Sequence, residues 1–349
     1  MKTYIFDPIS EEALAYAKQY LDVVTWDDPV IQNMAEAEAV IVRTYIMDKE
    51  KIDAMPKLRI IAKHGVGTDN IDIPYAASKG ILVTNTPTAN SNSVAELIIG
   101  LILDCAHKLT ASHKACMEGL ERNQPMFLSG REISGKRAGL IGIGHIGAIV
   151  GKRLKYGFDM DILAYDPFLG KEKTEALGFS YTDDVNDIYK TSDVISVSVP
   201  LNDQTRNMIS AQELAMCKKN AIVINASRGG IINEHDLSQA LAEGEIFGAA
   251  TDAFVEEPVP KVHELFKQFN FVGTPHNGAN TKEALINMGT DKTYRYRIYG
   301  CPIQHKHPTD LKRRNKTMAR SIMIQGTMSN AGKKSDRSGP VPHFRPGRL

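Results

Sequence analysis

Arg228, Glu257 and His276 are three residues whose types could act together on one small acid. An arginine presents a fork of donors to a carboxylate or keto group. A histidine exchanges a proton near neutral pH. A glutamate hydrogen-bonded to that histidine holds its ring and favours the imidazolium. Arg228 follows the apolar run 222–226 and precedes Gly229-Gly230. Glu257 follows 248–254 and precedes Pro258, and His276 follows Phe271-Val272 and Thr274-Pro275. Taken singly, a surface arginine, a strand-end glutamate and a loop histidine are all ordinary. Together they are of interest because carboxyl ends of parallel strands line the ligand crevice of an open α/β sheet.

A second pattern supplies a place for a cofactor. Gly142-Ile143-Gly144-His145-Ile146-Gly147 is a G-x-G-x-x-G run that follows the apolar stretch 138–141 and opens a helical pattern. That is the context in which the run binds a dinucleotide. Gly142 permits a tight turn, Gly144 lets the backbone approach a pyrophosphate, and Gly147 lets the helix pack close to the sheet. The anion would rest on the first-turn N–H groups, which include those of His145 and Ile146. Asp166 ends the next strand, 22 residues after Gly144, where a carboxylate accepts from the adenosine ribose. No Lys or Arg follows it before Lys171, so a 2′-phosphate would meet an unneutralised carboxylate and NAD is favoured over NADP. The alternative is a tight strand-to-helix turn that binds nothing.

These residues need strands behind them. Strand patterns at 3–6, 39–42, 58–62 and 81–84 alternate with helical ones at 11–21, 51–55 and 73–78. Asn90 is placed to cap one long helix reaching about Leu120, and 121–136 reads as a loop. A second series has strands at 138–141, 161–165, 194–197, 221–224, 246–250 and 271–272, with helices between them, a doubly wound parallel sheet of six or seven strands. The fold class is α/β with two Rossmann-like domains. Residues 1–100 form a substrate-binding or lid domain, discontinuous if 284–300 complete it. Residues 101–283 form the dinucleotide domain, and 301–349 form a basic, disordered tail.

Beyond these patterns, the sequence resembles the D-isomer-specific 2-hydroxyacid dehydrogenases over about residues 39–289. The resemblance is carried by His64-Gly65-Val66-Gly67-Thr68-Asp69-Asn70-Ile71-Asp72, Asn85-Thr86-Pro87 and Ser93-Val94-Ala95-Glu96-Leu97. It continues through the glycine run, Asp166-Pro167, Val199-Pro200-Leu201 with Thr205, Asn225-Ala226-Ser227-Arg228-Gly229-Gly230, Glu256-Glu257-Pro258 and Thr274-Pro275-His276. It implies that Arg228, Glu257 and His276 are the catalytic triad, and that Pro200, Thr205, Ala226 and Asp252 join the NAD site. It further implies that Val66 and Gly67 bind the substrate carboxylate through backbone N–H groups, with Arg43 and His64 near the distal end of the substrate. The implied activity interconverts a small D-2-hydroxy acid and its 2-keto acid, in the manner of phosphoglycerate dehydrogenase or hydroxypyruvate and glyoxylate reductase. A homodimer is the implied partner state. An NAD-sensing, corepressor-like protein and a formate dehydrogenase-like enzyme are the alternatives on the same fold.

Composition narrows the class further. At 349 residues, 42% hydrophobic and 24% charged, the chain is neither disordered overall nor a disulfide-stapled mini-domain. No basic-then-apolar leader and no long apolar run is present, so a cytoplasmic protein without a membrane span is expected. The four cysteines form no C-x-x-C pair, so no metal site is suggested, and Cys105 and Cys116 read as small buried hydrophobes. The net charge of +1 is a cancellation. From residue 291 onward there are 14 basic and three acidic residues, giving a tail of +11 and a body of −10. After 281–289 the family pattern asks for an amphipathic helix rejoining the first domain. Here Tyr294-Arg295-Tyr296-Arg297, His305-Lys306-His307 and Lys312-Arg313-Arg314 follow instead. Three readings stand: a basic arm for acidic partners or nucleic acid, a solvated surface, or a shifted reading frame near residue 290. Ser198, where many relatives have His, and Asn277-Gly278-Ala279 are smaller departures from the pattern.

Overall fold

The computed structural model describes residues 1–119 and 128–291. The basic tail, the tip of the 121–136 loop and Cys301 lie outside the described residues, and so do the three readings of the tail. Within these residues two parallel sheets form. The first contains β1 (Lys2–Ile5), β2 (Asp22–Val24), β3 (Ala39–Val42), β4 (Ile60–Lys63) and β5 (Leu82–Thr84), in the order β2-β1-β3-β4-β5. Helices α1 (Glu11–Lys18), α2 (Lys49–Asp53) and α3 (Ile73–Ser78) lie between those strands. All four residues of β3 are buried, as a strand covered on both faces requires.

The second sheet has seven strands. They are β6 (Arg137–Ile141), β7 (Asp161–Tyr165), β8 (Ser180–Tyr181), β9 (Val194–Val197), β10 (Ile222–Asn225), β11 (Gly248–Thr251) and β12 (Phe271–Gly273). Their order is β12-β11-β10-β9-β6-β7-β8, so the winding reverses at β6. A crevice opens at such a switch point, beyond the carboxyl ends of β6 and β9. The glycine run leaves β6 at that place. The short strands β2 and β8 gave no readable pattern, because each is an edge strand of two or three residues with a polar member.

The remaining helices are α4 (Ser91–His107), α5 (Leu109–Met117), α6 (His145–Phe158), α7 (Lys171–Ala176), α8 (Val185–Thr191), α9 (Ala211–Met216), α10 (Glu234–Ala242) and α11 (Lys282–Thr290). The single helix expected from Asn90 to about Leu120 is two, because Lys108 takes a left-handed turn (φ 53°) that separates α4 from α5. Asn90 occupies the cap position, but its side chain caps nothing and its buried Oδ1 lacks a hydrogen-bond partner. Cys105 is buried as expected, whereas Cys116 is exposed on α5.

Helix α4 packs on the seven-stranded sheet and on α6, with Val94, Ile98, Leu101, Ile102 and Cys105 in one core with Leu140, Val150, Val194 and Ile224. The expected boundary at residues 100 and 101 therefore falls inside a continuous helix. The chain leaves the smaller sheet before Ser91. It returns through α11, capped by the Thr281 side chain, which accepts from Ala284 N–H. Gly289 brings α11 against α1 so closely that a Cβ there would stand 2.2 Å from that of Ala13. Lys282 pairs with Glu12 at 3.4 Å. A helix rejoining the first sheet therefore begins within 282–290, earlier than the sequence pattern suggested.

Candidate active site

Arg228 leaves β10 and reaches across to the loop after β4. Its Nε donates to Asp69 Oδ2 at 2.8 Å and its Nη1 to the Ser227 carbonyl at 2.6 Å. Asn225 fixes the turn beneath it, donating from Nδ2 to the Arg228 carbonyl and accepting from Ser227. The third nitrogen, Nη2, lies where a Cβ on Gly67 would be, 1.5 Å from the built position. Glycine at 67 is therefore what admits the guanidinium. Burial raises the Asp69 carboxyl, but the Arg228 charge and hydrogen bond outweigh it and hold the group below its ordinary value.

The loop carrying Gly67 is built to offer donors. Asn85 Nδ2 donates to the Val66 carbonyl at 2.7 Å, and the Gly65 carbonyl accepts from Thr86. Among the described residues no acceptor takes the N–H of Val66 or Gly67. Two free backbone donors beside an arginine suit a carboxylate.

His276 and Glu257 meet within reach of the Arg228 charge. His276 Nδ1 lies 2.9 Å from Glu257 Oε2 and 3.1 Å from Oε1. Glu257 Oε1 also accepts from the Phe254 N–H at 3.1 Å. Burial pushes the Glu257 carboxyl up, and the hydrogen bond and charge of His276 then bring it below its usual range. His276 is one of four non-glycine residues with positive φ among the described residues, at 51°. That conformation costs roughly 1–2 kcal/mol and persists only where neighbours over-determine it. Asp252 does this. Buried after β11, it accepts from Thr274 Oγ1 (2.6 Å), Asn277 N–H (2.6 Å) and Gly278 N–H (2.8 Å), on both sides of the histidine. The resemblance suggests only a cofactor contact for Asp252; in the structure its carboxylate is the clamp of the His276 turn. The Gly278 carbonyl accepts from Ser93 Oγ at 2.6 Å, which ties α4 to the same turn.

The dinucleotide loop lies at the end of β6. Gly142 has φ 91°, and a Cβ there would come within 2.5 Å of the Ser198 carbonyl oxygen. At Gly147 a Cβ would stand 2.2 Å from the Gly142 carbonyl oxygen, so this glycine sets the close approach of helix and loop. Gly144 differs, with nothing within 4 Å of its Cβ position. As the N-cap of α6 it has no side chain to occupy the first-turn N–H groups, so His145, Ile146 and Gly147 face an open cradle. Asp166 Oδ2 accepts from Ile143 N–H at 2.8 Å and Oδ1 from Phe168 and Leu169 N–H at 2.9 Å. The carboxylate is thereby held against the glycine loop with one of its about four acceptor sites to spare. Thr205 Oγ1 donates to the Pro200 carbonyl at 2.6 Å and shapes the turn after β9. Ala226 lies half-buried at the end of β10. The open cradle and the fixed carboxylate fit a dinucleotide.

Two charged residues near the site went unread in the sequence. Lys63 ends β4, donating to the Arg43 carbonyl and to Asn70 Oδ1, each at 2.5 Å. Burial and the nearby Arg228 charge pull its ammonium down to about 8. Asp7, after β1, accepts from Arg43 N–H at 2.6 Å, Thr44 Oγ1 at 2.5 Å and Tyr45 N–H. Burial raises its carboxyl, and those bonds hold it below the ordinary value. A lysine terminating an apolar strand was the available signal; the Asp7 contacts join residues 36 to 38 apart. His64, expected near the substrate, is 1% exposed and lies 3.7 Å from the Gly289 Cβ position under α11. Burial, then the Arg43 charge, pull it down to about 4.

A doubly wound sheet with this loop and cradle defines a dinucleotide-binding α/β protein. The family described as D-isomer specific 2-hydroxyacid dehydrogenase, NAD binding domain, matches residues 99–278. A D-3-phosphoglycerate dehydrogenase of Methanocaldococcus jannaschii is 40% identical over 295 residues, covering 83% of this chain and 56% of that protein. A hydroxypyruvate reductase of Thermotoga maritima is 38% identical, covering 83% and 95%. Among solved structures, the D-lactate dehydrogenase with NAD+ from Lactobacillus jensenii superposes with a TM-score of 0.68 at 29% identity, over 82% of this chain and 93% of that one. The chain belongs to the D-isomer-specific 2-hydroxyacid dehydrogenase family, and the cofactor class is the nicotinamide dinucleotides. It spans just over half the length of the phosphoglycerate dehydrogenase relative.

Proposed function

We propose that the protein is an NAD-dependent oxidoreductase that interconverts a small D-2-hydroxy acid and its 2-keto acid. The observation that carries this is the His276–Glu257 pair, at 2.9 Å, near enough to Arg228 over Gly67 for the guanidinium charge to act on Glu257. A bound nicotinamide supplies or accepts the hydride. Arg228 Nη2 and the Val66 and Gly67 N–H groups hold the substrate carboxylate. Arg228 also stabilises charge developing on the keto oxygen. His276 Nε2 gives that oxygen its proton in reduction and takes it in oxidation. Glu257 keeps Nδ1 protonated and the ring aimed. Asp166 accepts from the ribose hydroxyls, which favours NAD over NADP.

Hydroxypyruvate, glyoxylate and phosphohydroxypyruvate are the first substrates to try, since relatives bear the names hydroxypyruvate reductase and phosphoglycerate dehydrogenase. The same reading has the protein act in the cytoplasm as a homodimer, the latter open to light scattering. An NADH-oxidation screen of those three acids and pyruvate tests the activity. Turnover of at least one, with NADPH much poorer, supports the proposal. Dinucleotide binding without turnover of any of them would replace it with a sensing role.

A further inference from the structure

The residues that hold Glu257 and Arg228 in register share a single peptide. The Phe254–Val255 peptide lies directly over Gly229: a Cβ on that glycine would stand 2.0 Å from the Phe254 oxygen and 2.5 Å from the Val255 nitrogen. Gly229 follows Arg228. The preceding N–H, of Phe254, donates to Glu257 Oε1 at 3.1 Å. One strip of backbone therefore touches both the arginine loop and the glutamate. Val255 itself is 67% exposed, and on its other side the buried Phe254 ring anchors the strip in the core.

On the Val255 side the polar hold is a second carboxylate–histidine pair. Glu234, the first residue of α10, accepts the Val255 N–H on Oε1 at 2.7 Å. Its Oε2 meets His263 Nε2 at 3.1 Å. His263 Nδ1 accepts from Leu265 N–H at 3.3 Å, which leaves the ring proton on Nε2, aimed at Glu234. Both Glu234 and His263 are largely buried. The imidazole is set edge-on against Phe254 and Phe266, with centroids 5.5 and 5.9 Å away. Both neighbours of the Glu234 carboxylate are donors. Only a carboxylate satisfies the two at once, because an amide would turn a donor toward one of them.

Resting on the functional reading above, we propose that Glu234 and His263 are positioning residues for the reaction. They fix the Phe254–Val255 peptide, and through it the spacing of Glu257 and Arg228. Neither touches the reacting atoms. Misplacing a catalytic group by about 1 Å costs up to about a hundredfold, so loosening this peptide acts on turnover more than on cofactor binding.

The test uses Glu234→Gln, Glu234→Ala, His263→Phe and the double variant Glu234→Ala/His263→Phe in the full-length chain. Phenylalanine keeps the ring among Phe254 and Phe266 and removes the Nε2 donor together with the Nδ1 acceptor of the Leu265 N–H, so it serves if the alanine variant does not fold. We expect kcat to fall by about tenfold or more in the Glu234 variants, with NADH affinity changed less than about threefold. The double variant should lose no more than Glu234→Ala alone, because His263 acts through Glu234. A readout independent of turnover is the His276 Nδ1–H proton resonance, held downfield by Glu257. It should move upfield or broaden in the variants. Folded variants with parental kcat and an unmoved resonance would overturn the proposal, as would additive losses for His263's part in it. A parent that reduces no keto acid counts against the functional reading alone, since the resonance still tests the positioning.

Discussion

Two glycine loops follow strands of parallel sheets in this molecule, and they need glycine for opposite reasons. After β6, Gly144 faces open space, with no atom within 4 Å of a would-be Cβ. After β4, Gly67 has the Arg228 guanidinium on it, at 1.5 Å from that position. The first loop is empty so that a ligand's phosphates can approach backbone N–H groups at a helix start. The second is filled by a side chain whose partner in that loop, Asp69, is 159 residues away in sequence. Residue type alone does not distinguish a cradle from a crossing point; the identity of the neighbour does.

The largest expected effect lies at neither glycine. His276→Gln removes the proton donor and should lower kcat by about a hundredfold or more, with NADH binding retained in a fluorescence titration. Parental turnover in that variant would remove His276 from the reaction. Next comes Gly67→Ala, which must push Arg228 off its place. We expect kcat/KM for the keto acid to fall at least about tenfold, while NADH affinity stays within about twofold. Gly144→Ala should do the reverse. Its methyl group meets no protein atom, so Tm stays put and NADH binds at least about tenfold more weakly, the Cβ standing where the pyrophosphate would approach. If both alanine variants lose the same property, the contrast between the loops fails.

A smaller effect concerns pH. Folding pulls His64 down to about 4 from an ordinary value of 6.5. Between those values the unfolded chain binds a proton that the folded chain does not. The folded state therefore keeps its full stability above about pH 6.5 and loses up to about 3 kcal/mol as pH falls to about 4. His64→Phe should flatten that acid slope in denaturant titrations at pH 7 and pH 5. An unchanged slope would mean that other groups carry it.

Much of the site could be read early because its parts obey local rules. An apolar strand, three glycines and a helical pattern stand in one short stretch, and the acid that ends the next strand follows after 22 residues. The strand-end positions of Arg228, Glu257 and His276 likewise follow from hydrophobic runs. What could not be read depends on contacts without a local signature. The break at Lys108 replaces one helix with two, although the apolar spacing continues through Cys105. Helix α11 finds α1 through a glycine pressed on Ala13, and nothing near residue 289 announces that partner.

Sequence by itself determined the two parallel α/β series, the dinucleotide loop and the residue types available for chemistry. Hydrophobic periodicity and glycine spacing are short-range and survive in one dimension. Tertiary structure alone decided that Asp252 clamps the His276 turn, that Asp69 draws Arg228 across from the other sheet, and that Glu234 and His263 hold the peptide between the arginine and the glutamate. Each of these is a hydrogen bond between elements far apart in the chain. Its donor and acceptor acquire a partner only when folding brings the elements that carry them together.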